Sequence, residues 1–205
     1  MTTLLLVRHG ESIWNAARRW QGRADPPLSE RGEEQARAAA RALAAHGPFD
    51  AVVTSNLQRA RQTGELLAAG ASIELGDAVT DLQERSAGEW QGLTRVEIEE
   101  RYPGFLASGE RPPGYEPDQA VIDRALAALA TIAGAGDRRL VVVSHGGVIH
   151  ALERHVLGTD HDWLRLDNLD ARRFEFADGV LRMQGDRISL AASGVTATPA
   201  EPGYA

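Results

Sequence analysis

Leu4-Leu5-Leu6-Val7-Arg8-His9-Gly10 and Leu140-Val141-Val142-Val143-Ser144-His145-Gly146-Gly147 follow one pattern. Each is a short apolar run that stops at a polar residue, a histidine and a glycine. Runs this short, bounded by glycine and rich in branched side chains, read as strands buried on both faces. Such strands belong to parallel sheets covered by helices. Open sheets of that kind place their sites at the carboxyl ends of strands, where both histidines stand.

The rest of the chain alternates in the same sense. Ser29 caps a helix that runs to about residue 45 and is closed by His46-Gly47-Pro48. Residues 49–54 read as a second strand, 57–69 as a helix ended by Gly70, and 73–75 as a short third strand. A short helix over 95–102 stops at Pro103, and the proline- and glycine-rich stretch 103–117 is expected to be a long surface loop. Apolar residues at 122, 125, 126, 129, 132 and 133 have helical spacing, which predicts a helix over 118–133. A further helix is predicted over 148–157. Residues 172–176 and 180–182 flank Asp178-Gly179, a hairpin signal. The predicted fold is α/β: a three-layer sandwich with a mostly parallel central β-sheet and helices on both faces. Residues 1–190 are expected to form a single domain and 191–205 a loose tail.

Composition narrows the chemistry. Among the 205 residues there is no cysteine, which excludes thiol nucleophiles, disulfides and cysteine metal sites. There is no lysine either, so Schiff-base chemistry and the lysine-containing phosphate loop are excluded. All 22 basic residues are arginine, whose forked guanidinium suits bidentate contacts with phosphate. The net charge of −7 opposes binding to nucleic acid or anionic membranes. No apolar run approaches the roughly 18 residues of a membrane span. The four apolar residues before Arg8 are too few for a signal peptide, so a cytoplasmic location is expected.

A histidine can act as nucleophile, acid, base or metal ligand. Arg8 beside His9 adds a fixed cation, and Gly146-Gly147 opens a helix whose N-terminus favours an anion. Histidines 145, 150 and 155 recur every five residues. On a helix that spacing leaves neighbours roughly 140° apart, unsuited to one metal ion. His46 and His161 are assigned no role. The polar stretch with Asp81, Glu84 and Glu89 offers several carboxylates, and the residues alone do not choose among them. Arg59 reads equally as a site residue or a solvated helix arginine.

Leu6-Val7-Arg8-His9-Gly10-Glu11-Ser12 with Asn15 resembles the signature of the histidine phosphatase superfamily, the phosphoglycerate-mutase-like enzymes. Four further segments resemble the same family in the expected order. They are Gln21-Gly22 through Gln35-Ala36; Ser55-Asn56-Leu57-Gln58-Arg59-Ala60-Arg61-Gln62-Thr63; Leu82-Gln83-Glu84 with Gly88-Glu89-Trp90-Gln91-Gly92; and Ser144-His145-Gly146-Gly147. Five ordered segments are far more specific than an isolated Arg-His-Gly.

The resemblance implies roles. His9 would carry the phosphoryl group, and Arg8, Arg59 and His145 would hold its oxygens. Glu84 would protonate the leaving alkoxide. Asn15, Gln21 and Gly146 would add neutral phosphate contacts. No metal and no cofactor is implied. The expected activity is hydrolysis of a small phosphorylated metabolite by a monomer or homodimer. The segment from Gly92 to Asp118 lacks the length and the basic residues of true mutases, which favours the phosphatase outcome over cofactor-dependent phosphoglycerate mutase. A non-catalytic phosphate-binding or regulatory module is the third reading. Where many relatives carry Gly-Glu-Ser before the long helix, this chain has Gly114-Tyr115-Glu116-Pro117. Trp14, Trp20, Arg23, Arg85, Tyr115 and Trp163 stand as residues that could shape the pocket.

Overall fold

The computed structural model describes residues 1–134, 137–158 and 166–191. The readings for His161, Trp163 and residues 192–205 lie outside the described residues. Six strands form one mixed sheet in the order β3-β2-β4-β1-β5-β6. They are β1 (Thr2–Arg8), β2 (Ala51–Ser55), β3 (Glu74–Val79), β4 (Arg138–Ser144), β5 (Asp170–Ala177) and β6 (Val180–Ser189). The first four run parallel, and the β5–β6 hairpin joins β1 antiparallel. Asp178 and Gly179 both take positive φ, 52° and 76°, as a tight two-residue hairpin turn requires.

The central strands explain the layers. Leu4 to Val7 and Leu140 to Val143 are all fully buried. Successive residues point to opposite faces. Leu4, Leu6, Leu140 and Val142 pack under helices α6 (Asp118–Ala133) and α7 (Gly146–Leu157). Leu5, Val7, Val141 and Val143 pack under α2 (Glu30–Leu43) and α3 (Gln58–Ala71). Each such side chain removed from water contributes roughly 1.5–3 kcal/mol, so these two strands anchor both cores. A third cluster lies apart: Trp20, Trp90, Leu93 and Ile98, with Ile98 on α4 (Arg95–Arg101).

Three expectations change. Gly70 does not end α3; the helix runs to Ala71, and Ser72 closes it at φ 54°. The third strand is longer than 73–75 and lies at the exposed edge of the sheet, where few apolar residues are needed to signal it. The 103–117 stretch is not simply a loop. It carries the four-residue α5 (Phe105–Ser108), and Phe105, Leu106 and Tyr115 pack on the cluster around Trp90. Its aromatic residues have too few regular intervals to reveal that packing in sequence.

Candidate active site

Register brings the two histidines together. Arg8 pairs with Ser144 across the parallel β1–β4 ladder, so His9 and His145 leave adjacent strand ends in step. The His9 N–H continues the ladder to Ser144 O at 3.1 Å. Beyond this point the chains diverge, because the chain from β1 goes on to α2 on one face and β4 feeds α7 on the other. The crevice between such diverging connections is where open α/β sheets bind ligands. The imidazoles meet edge to face, 5.2 Å between centroids.

The protonation of His9 follows from its partners. Nδ1 lies 2.7 Å from Gly10 O, a carbonyl that can only accept, so Nδ1 carries the proton. Nε2 then presents a lone pair, which accepts from Arg59 Nε at 3.2 Å. Burial, then the charges of Arg59 and Arg8, hold the His9 pKa well below its ordinary 6.5, against the smaller opposing pull of Gly10 O. His145 is lowered in the same way, by burial first and then by Arg59, His9, Arg124 and Arg8. Both rings are therefore neutral at pH 7. His145 Nε2 lies 2.9 Å from Ser55 Oγ at the end of β2, whereas its Nδ1 is buried and meets no hydrogen-bond partner among the described residues. A buried ring nitrogen left this way is open to a hydrogen-bonding partner from outside the chain.

Arg59 is fully buried, not solvated. Its other nitrogens donate to Ala24 O at 2.8 Å and Gly22 O at 2.9 Å, so the fork is aimed by the loop 22–24. Arg8 donates to Leu166 O, and its stem passes 3.7 Å from where a side chain on Gly146 would begin. Glu84 faces them from the segment between β3 and α4. Its carboxylate accepts the Arg85 N–H at 2.8 Å and the Gly147 N–H at 3.2 Å. A methyl group on Gly147 would stand 2.5 Å from Glu84 Oε1, so only glycine leaves room for this carboxylate at the start of α7. Gly32 matters for a similar reason: a methyl there would lie 1.9 Å from the backbone oxygen of Glu11, in the loop that follows His9.

Asn15 and Gln21 are engaged through Ser12. Asn15 Oδ1 accepts the Ser12 N–H at 3.1 Å in a capping box on α1 (Ile13–Ala16), and Ser12 Oγ lies 2.6 Å from Gln21 Oε1. Both amides thus brace the loop after β1. Gly146 is the first residue of α7, with its backbone beside Arg8. At the rim, Glu116 accepts from Arg23 at 2.8 Å and Arg124 at 2.9 Å. Arg85 and Arg111 lie over the Tyr115 ring at 5.4 and 5.3 Å. Trp90 is fully buried and serves packing, and Trp14 lies against Gly92. His150 turns away to Glu153, at 3.0 Å, which also holds Arg172. Among the described residues no group of three or more His, Cys, Asp or Glu could hold a metal ion, and no helix is long and apolar enough to cross a membrane.

Sequence reading missed several supports. Thr63 Oγ1 accepts the Gly10 N–H at 3.0 Å and donates to Arg59 O at 2.7 Å. Ser55 aims His145, and Asn168 Nδ2 donates to His9 O at 2.8 Å. Ser55 and Thr63 lay inside a recognised segment, but nothing in their type distinguished them. Asn168 lies in Asp167-Asn168-Leu169-Asp170, a turn signal without functional content.

The two buried histidines make acid stability a test of the site. Each has a folded pKa below its unfolded value of about 6.5, so the unfolded chain binds more protons below that pH. Stability is then full above about pH 6.5 and falls as the pH drops toward the lowered folded values, by up to about 1.4 kcal/mol per pH unit for each histidine. Urea unfolding from pH 7.5 to 5 is expected to show this fall, with a shallower slope in His9→Ala. Identical slopes in the two proteins would mean that His9 is not held neutral.

The model of the histidine phosphatase superfamily (branch 1) matches residues 4–186. The uncharacterized phosphatase PhoE of Bacillus subtilis is 32% identical over 95% of this chain and 98% of its own length. A glucosyl-3-phosphoglycerate phosphatase of Mycolicibacterium vanbaalenii is 34% identical over 89% of this chain and 87% of its own. The solved structure of Bacillus stearothermophilus YhfR superposes with a TM-score of 0.79 at 28% identity, covering 96% of this chain and all of the other.

Proposed function

The chain belongs to the histidine phosphatase superfamily (branch 1), with phosphatases among its relatives, and from that premise we propose that it hydrolyses small phosphomonoesters through a phosphohistidine on His9, without a metal ion. The observation that carries the reading is the state of His9: protonated at Nδ1 by its bond to Gly10 O, with the Nε2 lone pair turned to Arg59.

An incoming phosphoryl group takes the place of the Arg59 N–H at Nε2 and receives that donor on an oxygen. Arg8, the buried Nδ1 of His145 and the N-terminus of α7 surround the same oxygens. The dianion favours protonation of His145, reversing the depression seen without it. Nε2 attacks phosphorus and the N–P bond forms. The P–O bond to the leaving alkoxide breaks, and Glu84 delivers the proton that alkoxide needs. Water then attacks phosphorus and gives a proton to the Glu84 carboxylate. The N–P bond breaks, and its electron pair returns to Nε2. The net change is monoester plus water to alcohol plus phosphate. The arginines and His145 supply the positive charge that a metal ion supplies elsewhere. The leaving group lies toward Arg85, Arg111 and Tyr115, whose phenol is raised above its ordinary pKa chiefly by burial.

The test is phosphate release from a panel of small phosphomonoesters in excess chelator. Turnover is expected and unchanged by chelator. Loss of turnover on chelation would end the metal-free reading. No release from any ester would turn the assignment to phosphoryl transfer, assayed with 3-phosphoglycerate and a bisphosphoglycerate primer, and failing that to phosphate binding alone.

A further inference from the structure

The segment leading into β5 grips the Arg8–His9 backbone from the side opposite His145. We propose that Asn168 is a positioning residue, which with its neighbours Leu166 and Leu169 clamps that backbone and holds the His9 imidazole in line for attack. This rests on the reading of His9 as nucleophile.

The need for a clamp follows from where the ladders end. On the β4 side, the His9 N–H is bonded to Ser144 O. Regular pairing stops at Arg8 with Ser144 on the β4 side and at Val7 with Ala171 on the β5 side, so no strand residue pairs with His9 O. A buried carbonyl without a partner is costly. The Asn168 amide replaces the missing ladder bond, donating to His9 O at 2.8 Å, and Asn168 is only 2% exposed. One residue on, the Leu169 N–H bonds Arg8 O at 3.0 Å. Leu166 O receives the Arg8 guanidinium. Three residues of one short segment therefore fasten both the backbone and the side chain that meet the phosphate.

The segment takes an unfavourable shape to do this. Leu169 is fully buried at φ 65°, a left-handed conformation that a branched side chain rarely adopts. It is held there by the Asp167 N–H on Asp170 Oδ2 at 2.6 Å and by the Leu190 N–H on Leu169 O at 3.0 Å. Backbone strain that persists beside a reacting group points to a geometric demand at that group. The clamp also meets the other side of the site: Asn168 Nδ2 lies 3.5 Å from Asn15 Oδ1, the oxygen that caps Ser12. The loop carrying His9 is thus held from both flanks.

Asn168→Ala and Asn168→Ser are compared with wild type and His9→Ala on p-nitrophenyl phosphate at 25 °C. This ester suits the question because its leaving group departs without needing a proton from Glu84, so the rate of phosphoenzyme formation reports the attack by His9. A small misplacement of a reacting atom costs up to about 100-fold. Asn168→Ala is therefore expected to lower kcat about 10- to 100-fold with KM within about threefold. Rapid quench is expected to show the same loss in phosphoenzyme formation. The serine variant keeps a shorter donor and is expected to fall between. A lowered melting temperature with kcat within twofold of wild type would reduce Asn168 to a structural residue and overturn the proposal. If the alanine variant does not fold, the serine variant is judged by the same criterion. Activity retained by His9→Ala removes the nucleophile reading and the clamp together, whereas loss in His9→Ala alone removes only the clamp.

Discussion

His9→Ala is expected to lower phosphate release by roughly 10⁴- to 10⁶-fold, the scale of loss when a covalent nucleophile is removed. Nothing near His9 can replace it. The neighbouring ring, His145, has Nε2 beside Ser55 Oγ and is held by another strand. There is no cysteine or lysine to take over. The fold is expected to survive, because among the described residues the deleted side chain's hydrogen bonds are those to Gly10 O and Arg59, beside its edge contact with His145. A normal far-ultraviolet spectrum, a melting temperature near wild type and no burst of phosphoenzyme would complete the result. Residual activity within tenfold of wild type would mean that phosphorus is attacked by something other than Nε2.

Arg59→Ala is expected to cost both catalysis and stability, and the combination identifies its role. Its guanidinium is fully buried and holds Gly22 O, Ala24 O and His9 Nε2 at once. Truncation leaves the buried Gly22 O without its donor and the part-buried Ala24 O without its own, at about 1–3 kcal/mol for the buried one. It also removes preorganised donors from the phosphoryl oxygens, each worth about 10²- to 10³-fold, so kcat/KM is expected to fall at least about 10³-fold. Arg59→Lys is expected to recover little, because a single ammonium group cannot span two carbonyls and the phosphate. Chemical denaturation and kcat/KM on the same samples separate the effects. Destabilisation with kcat/KM unchanged would make Arg59 a loop brace and no more.

These expectations were not equally visible in the chain. His9 and His145 stood out because each ends an apolar run before glycine, a local pattern independent of the rest of the protein. Glu84 did not: as a residue type it matched Asp81 and Glu89, and only the family resemblance selected it. In the folded chain its distinction is spatial. It lies where the N–H of Gly147 and the missing side chain at that position receive a carboxylate. Arg59 was ambiguous for the same reason. A helix arginine shows its partners only when the loop 22–24 is folded against it. Phe105 and Tyr115 read as loop, because packing of their side chains on the cluster around Trp90 has no periodic trace.

By itself the sequence determined the layered α/β plan, the buried parallel strands, the cap at Ser29 and the two strand-end histidines. All of these follow from short-range rules: hydrophobic period, turn chemistry and the preferences of single residues. The tertiary structure decided what depends on distant parts meeting. The Arg8–Ser144 register sets the histidines edge to face, Gly10 O chooses the tautomer of His9, and burial beside two arginines keeps that ring neutral. Asn168 reaches His9 across 159 positions of chain. Hydrogen bonds and desolvation act over a few ångströms, and no local pattern records which residues folding brings that close.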